Sequence, residues 1–362
     1  LFRSDDGSSE AHRVLGMLYA VRSEDRGRGV TPAQVATNTR QAIEHLEKVI
    51  DNPTGLTDVN VQYTLGRLYL RAGQADKAVV SLSRVVSENP GSVQARISLA
   101  QAFVGARRLD DAISTLVEIV DDEPRVASTL AQFQEQAGRP ADAAESYTKA
   151  IAVAPTSREL KVRRITALVQ AKAFEKAADF AGQAQGQHPD DLRFPQLRAH
   201  AFFELGDLSR AIATLEPVAK ANPNDGPTQL SLADLYVRNN RRLEAEQVTR
   251  QLVTIEPKNA DALNYLGYLL AERGQQLDEA IRLVRRALEI EPNNPNFLDS
   301  LGWAYYRRGD YVEAEKYLGP AAQQMPKNAT IQEHLGDLHA KDRKSTRLNS
   351  SHTDISRMPS SA

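Results

Sequence analysis

The stretch PNFLDSLGWAYYRRGDYVEAEKYLGPAAQQMPKN, residues 295–328, decides the fold. Leu298, Leu301 and Tyr305 recur at helical spacing with Gly302 among them, so the first half reads as a helix with one apolar stripe. Arg307-Arg308-Gly309 ends it, because glycine takes the left-handed conformation that closes a last turn and basic side chains suit a helix C-terminus. Asp310 stands where it would cap a second helix, whose buried face is Ala314, Leu318 and Ala321. Met325-Pro326 stops that helix, since the residue before a proline is pushed out of helical geometry. The unit is helix, turn, helix, turn.

Outward from this unit the same grammar returns. Pro90, Pro124, Pro155, Pro189, Pro223, Pro257, Pro292 and Pro326 stand 31 to 35 residues apart, and a fixed period of this size marks one supersecondary unit copied many times. The small residue at Gly302 recurs as Gly66, Ala100, Ala199, Ala233, Gly267 and Gly336, and Ala314 recurs as Ala78, Ala112, Ala143, Ala177, Ala211, Ala245 and Ala280. Small side chains at both places let the two helices of a unit interlock. The turn glycine recurs as Gly73, Gly138, Gly206 and Gly274, with Asn240 suited to the same geometry. Arg107 and Lys172 break that rule, so their turns are expected to be looser or differently shaped.

Leu298-x-x-Leu301-Gly302-x-x-Tyr305, followed by Ala314-x-x-x-Leu318 and Pro326, resembles the tetratricopeptide repeat. Full repeats then begin near residues 59, 93, 124, 158, 192, 226, 260 and 295, with an orphan first helix at Ile331–Lys341. An irregular first repeat matches at Leu15, Gly16, Tyr19, Ala42, Leu46 and Val49, interrupted by an insertion near residues 22–35. Thr31-Pro32-Ala33-Gln34 is a capping sequence, so the insertion reads as a loop at Arg22–Gly29 followed by a second helix lengthened at its N-terminus. The resemblance implies an all-α fold, a right-handed superhelical α-solenoid of about nine helix pairs and an orphan helix over residues 9–341, of the bacterial type. Residues 1–8 are expected to be a disordered remnant. Residues 342–362, which resemble translated sequencing-adapter DNA, are expected to be a disordered tail.

Composition narrows the function. Hydrophobic residues make up 41% and charged residues 25%, the balance of a chain that folds. No apolar run is long enough to span a membrane, and the net charge of -2 argues against nucleic acid as a dominant partner. Leaving out the tail, with its four basic and two acidic residues, makes the repeats more acidic still. The chain has no cysteine, which removes thiol chemistry and thiolate-bound metals. That absence leaves the compartment open, cytoplasm or cell envelope. Catalytic motifs are absent: there is no phosphate-cradling glycine loop and no histidine pair at metalloprotease spacing. His334 and His339, five apart, fall on different helix faces, which argues against a metal site. Ser146-Tyr147-Thr148-Lys149 matches a serine–lysine spacing, but Tyr147 and Ala150 fall at buried positions of a second helix. Asp110-Asp111 reads as a helix cap. The chain is therefore expected to be no enzyme, with neither cofactor nor metal.

The resemblance also implies where a partner sits: a concave face lined by first-helix residues pointing away from the second helix. Those positions are Asn264 and Tyr268 in one repeat and Asn296, Asp299, Trp303, Tyr306 and Arg307 in the next. Trp303, the one tryptophan, lies off the core stripe, so with Tyr306 it is either an exposed aromatic anchor or packed against the next helix of the stack. The upstream surface carries Arg67, Arg71 and Tyr63, then His200, Phe203 and Glu204, and the C-terminal third is favoured as the site. These expectations converge on a non-enzymatic scaffold that holds a protein or peptide. The alternative is a repeat fragment of a larger enzyme or signalling protein; a third possibility is an array that self-associates through its ends.

Overall fold

The computed structural model describes residues 6–25, 27, 30–51 and 57–341, and the described residues hold helices and turns with no strand. They divide into two units, one ending at Ala184 and the other beginning at Gln185.

The first unit contains α1 (Asp6–Glu24), α2 (Pro32–Ile50), α3 (Val59–Arg71), α4 (Ala75–Glu88), α5 (Val93–Gly105) and α6 (Leu109–Val117). A 3-10 turn at Pro124–Val126 then leads into α7 (Ala127–Gln136), followed by α8 (Pro140–Val153), α9 (Arg158–Gln170) and α10 (Phe174–Gln187), whose last turn passes the boundary. α1 already runs from Asp6, inside the stretch expected to be an unstructured remnant. The second unit holds α11 (Arg193–Glu204), α12 (Leu208–Ala221), α13 (Gly226–Arg238), α14 (Arg242–Ile255), α15 (Ala260–Arg273), α16 (Leu277–Ile290), α17 (Pro295–Arg308) and α18 (Tyr311–Gln324). A final helical stretch covers residues 329–341. The expected tail at 342–362 lies outside the described residues.

Helix starts follow the expected register within two or three residues, because the caps are where the repeat puts them. Ser92, Ser157, Asn259 and Asn294 each accept a backbone N–H of the first turn. Where the small residue is glycine, the contact within the pair is close enough to require the missing side chain. A Cβ on Gly302 would stand 2.7 Å from Leu318 Cγ and 3.0 Å from the Ala314 carbonyl oxygen. One on Gly267 would stand 2.4 Å from Val284 Cγ2. In the second unit one cluster joins Leu263, Leu266, Leu270, Ile281, Val284 and Ala287 to Phe297, Leu301, Tyr305 and Leu318. First helices also touch first helices: α1 meets α3 and α3 meets α5, while α11, α13, α15 and α17 each meet the next. In each unit, then, one layer is built of first helices.

The turns correct one expectation. Arg107 and Lys172 adopt φ of 60° and 57°, close to the 68° of Gly138, and keep the same closing bonds. The N–H of Arg108 reaches the Phe103 carbonyl at 2.8 Å, as the N–H of Arg139 reaches that of Gln134. A left-handed non-glycine costs of order 1–2 kcal/mol, and the double hydrogen bond with the packed helix pair imposes it. Two supposed caps are corrected as well. Asp310 occupies the N-cap of α18, but its carboxylate turns to Arg308 rather than to the helix. Asp110 and Asp111 lie in the first turn of α6 behind Arg108, which binds Asp111.

The insertion follows the sequence at Thr31, whose hydroxyl accepts from Gln34 N while the Gln34 side chain accepts from Thr31 N, a complete capping box. α2 is thereby 19 residues long. Its extra turns wall a cleft of about 750 Å³ with Val35, Ala36, Thr39 and Arg40, closed opposite by Arg71 and Ala72. Arg26, Arg28 and Gly29 lie outside the described residues. No helix among the described residues is long and apolar enough to cross a membrane.

Candidate functional site

The residues singled out for binding all belong to the second unit, and the structure separates them into a buried set and an accessible set. Trp303 is 8% exposed, so of the two readings the sequence allowed it is packed against the next helix and is not a free aromatic anchor. Its ring stacks on His334 at 4.0 Å between centroids and on Tyr306 at 4.9 Å. Its Nε1 donates to Glu272 Oε1 at 2.6 Å. The physical reason is the continuing stack: the 329–341 stretch is the first helix of a further unit, and it lays His334 over the indole. Asp299 is buried too, with both carboxylate oxygens within 3.0 Å of His334 Nδ1. These two side chains hold adjacent first helices together and do not face solvent.

Four others remain accessible in whole or part. Asn296 is exposed, while Tyr268, Tyr306 and Arg307 are half-buried. Arg307 lies 5.6 Å above the Trp303 ring and donates to the Glu272 carbonyl at 2.9 Å. Tyr268 borders a small cavity with Arg242 and Glu272, and its hydroxyl is pushed up to about 12 by burial and then by the charges of Glu272 and Asp299. It therefore stays a neutral donor across the physiological range. Asn264 presents an Oδ1 that is out of solvent and has no hydrogen-bond partner among the described residues. An unmatched buried acceptor is costly, on the order of 1–3 kcal/mol.

Upstream of the favoured C-terminal third, the first-helix layer opens into a cleft of about 370 Å³ between α11 and α13. Ala199, Phe203, Leu215, Leu230 and Leu235 give it an apolar lining, and Gln196, His200, Ser231 and Asp234 give it polar points. The Phe203 ring is flanked by His200 at 6.4 Å and by the Arg238 guanidinium at 4.9 Å. Arg238 in turn binds Asp234 at 2.7 Å. The signal was present as the run His200 to Glu204. What it lacked was the partner half, since Leu230 and Asp234 come from the next repeat.

The apparent serine–lysine pair comes apart. Ser146 donates its hydroxyl to Gln134 Oε1 at 2.7 Å and Lys149 pairs with Asp121, so neither serves the other. His334 is buried and His339 exposed, as their spacing required. Among the described residues no group of three or more His, Cys, Asp or Glu side chains is placed to hold a metal ion.

Comparison with known proteins fits this architecture. Three family models described as tetratricopeptide repeat match the chain, one at residues 111–258, one at 70–133 and 274–341, and one at 230–295. Anaphase-promoting complex subunit 7 of Homo sapiens is 25% identical over 193 residues, covering 52% of this chain and 34% of its own length. Cellulose synthase operon protein C of Xanthomonas axonopodis pv. citri (strain 306) is 27% identical over 236 residues, covering 60% of this chain and 16% of its own length. The chain thus spans about a third or less of these relatives. A solved structure of Naa15/Naa10 bound to HypK-THB is 13% identical with a TM-score of 0.50, covering 93% of this chain and 67% of that one, which is a likeness of fold.

Proposed function

Since the chain belongs to the tetratricopeptide repeat family, we propose that it acts as a non-enzymatic scaffold that binds a protein or peptide segment along the first-helix layer of its second unit. The observation that supports this most directly is the cleft between α11 and α13, apolar within and ringed by Gln196, His200, Ser231 and Asp234. An extended segment would set one large apolar side chain against Phe203 and Leu230, while the polar ring meets its backbone. Downstream, Asn264, Tyr268, Asn296, Tyr306 and Arg307 offer donors and acceptors to the same segment. Trp303 and Asp299 act at one remove, by fixing Tyr306 and Arg307 in place.

The test is affinity capture with the whole chain, identification of the captured protein by mass spectrometry, and calorimetry with the purified partner. Phe203→Ala and the pair Tyr268→Ala with Tyr306→Ala should each weaken binding at least tenfold while the circular dichroism of the chain is unchanged. Affinity that survives both changes sinks the first-helix layer as the binding surface.

A further inference from the structure

We infer that the cleft walled by the lengthened α2 is a binding site for a small amphipathic carboxylate, with an apolar body and one anionic head. It belongs to the first unit, whereas the proposed partner surface belongs to the second. Helix length is the first observation. α4 begins at Ala75, three residues before Ala78; α16 begins at Leu277, three before Ala280; α18 begins at Tyr311, three before Ala314. α2 begins at Pro32, ten residues before the matching Ala42. The extra turns add about 10 Å of helix at 1.5 Å per residue. They face the turn between α3 and α4, at Arg71, Ala72 and Gln74, rather than the flank of another helix. Yet their inner side keeps the pattern of a packed helix. Val35, Ala36, Thr39 and Ile43 share one face at helical spacing and line the cleft. Burial fades along that face, from Ile43 at 7% and Thr39 at 5% exposure to a half-buried Val35 and an exposed Ala36. The space left open, about 750 Å³, is the size of a small-molecule site.

Charge decides what kind of molecule fits. Arg40 lines the cleft and has no ion pair or hydrogen bond among the described residues. Arg71, at the opposite wall, is already held by Glu24 and by the Ser23 hydroxyl. A second cleft adjoins the first, sharing Asp25 and Val30, and there the Arg22 side chain is also without a partner among the described residues. Together the two linings carry Arg22, Arg40 and Arg71 against one carboxylate, Asp25, whose Oδ1 already accepts from Gly27 N at 2.8 Å. The site is thus locally positive in a chain whose net charge is -2. A guanidinium matches a carboxylate in planar, two-pronged fashion, and one free guanidinium beside an apolar wall suits one carboxylate on an apolar body. The head would sit on Arg40 and the body against Val35, Ala36 and Ile43.

The test uses decanoate, titrated into the whole chain and read by calorimetry, with decyltrimethylammonium as the cation of matched chain length. Saturable one-to-one binding of decanoate is expected, at least tenfold tighter than that of the cation. Arg40→Gln, at an exposed position, should weaken it at least tenfold, and Ala36→Trp, which fills the cleft, should abolish it, with circular dichroism unchanged in both. No saturable binding, equal affinity for the cation, or affinity indifferent to both variants overturns the inference. Co-sedimentation with phosphatidylglycerol vesicles that Arg40→Gln abolishes, without binding of free decanoate, also overturns it, since the surface would then belong to a membrane.

Discussion

Nδ1 of His334 stands 2.9 Å from Oδ1 of Asp299, and both side chains are buried between α17 and the 329–341 stretch. The pair joins two first helices that also meet through the stacking of His334 on Trp303 and the packing of Leu338 in the cluster of Phe297 and Leu301. Removing either member leaves a buried polar group unmatched, so Asp299→Ala and His334→Ala should each cost about 1–3 kcal/mol. In a double-mutant cycle read by urea unfolding, the two losses should fall short of additive by 0.5 kcal/mol or more, in the range of about 0.5–3 kcal/mol seen for contacting residues. Strict additivity would mean that the contact carries no coupling.

Trp303 offers a direct optical check, being the single tryptophan of the chain. Buried under His334, it should emit in the blue-shifted range of a shielded indole and resist quenching by iodide. Trp303→Ala should destabilise by about 3–5 kcal/mol, as large aromatic truncations in cores do. Emission near that of free indole would contradict the stacked arrangement.

Two glycines at equivalent positions should respond to alanine with opposite sign. Alanine gains about 1 kcal/mol over glycine in a helix interior. At Gly267 an added Cβ meets Val284 Cγ2 at 2.4 Å and the Ala280 carbonyl at 3.0 Å, and overpacking of this kind costs about 1–3 kcal/mol. Gly267→Ala should therefore lose up to about 2 kcal/mol net. At Gly336 nothing lies within 4 Å, so Gly336→Ala should gain up to about 1 kcal/mol. Thermal melts of both variants decide the matter, and Ala280→Leu, on the opposing helix, should behave like Gly267→Ala.

Acid should weaken the second unit through Glu279. Arg250 donates to both its oxygens, at 2.6 and 3.1 Å, and holds the carboxyl below its ordinary value against the opposing effect of burial. The folded state then binds fewer protons than the unfolded one, so this stabilisation is complete above the unfolded pKa of about 4.3 and lost as pH falls through the folded value. Arg250 is 37% exposed, so solvent limits the contribution to about 1 kcal/mol or less. Glu279→Gln should lower stability by that amount at neutral pH and converge with the parent once pH has fallen below the folded value. A constant difference across the range would exclude the carboxylate as the cause.

Lys172 and Arg107 set backbone strain against what their side chains contribute. Both hold left-handed φ without being glycine, so Lys172→Gly and Arg107→Gly should each stabilise by up to about 1 kcal/mol, part of the 1–2 kcal/mol left-handed penalty being offset by the freer unfolded chain. Loss of stability in either would show that the side chain contributes more than the backbone strain costs.

What the sequence alone determined is everything local to one repeat. Helix starts, the stop at each proline, the capping box at Thr31 and the small residues at Gly302 and Ala314 were legible because they depend on spacing within about 34 residues. Only the tertiary structure decided which side of a first helix is covered. Trp303 lies off its own repeat's stripe, yet His334 from the following repeat buries it. Leu15 and Leu18 lie on the stripe, yet nothing described covers them. The cleft at Phe203 likewise needs Leu230 and Asp234 from another helix pair. Burial in a stacked array is set by the neighbouring repeat, and a neighbour is a fact of packing that no single repeat's pattern contains.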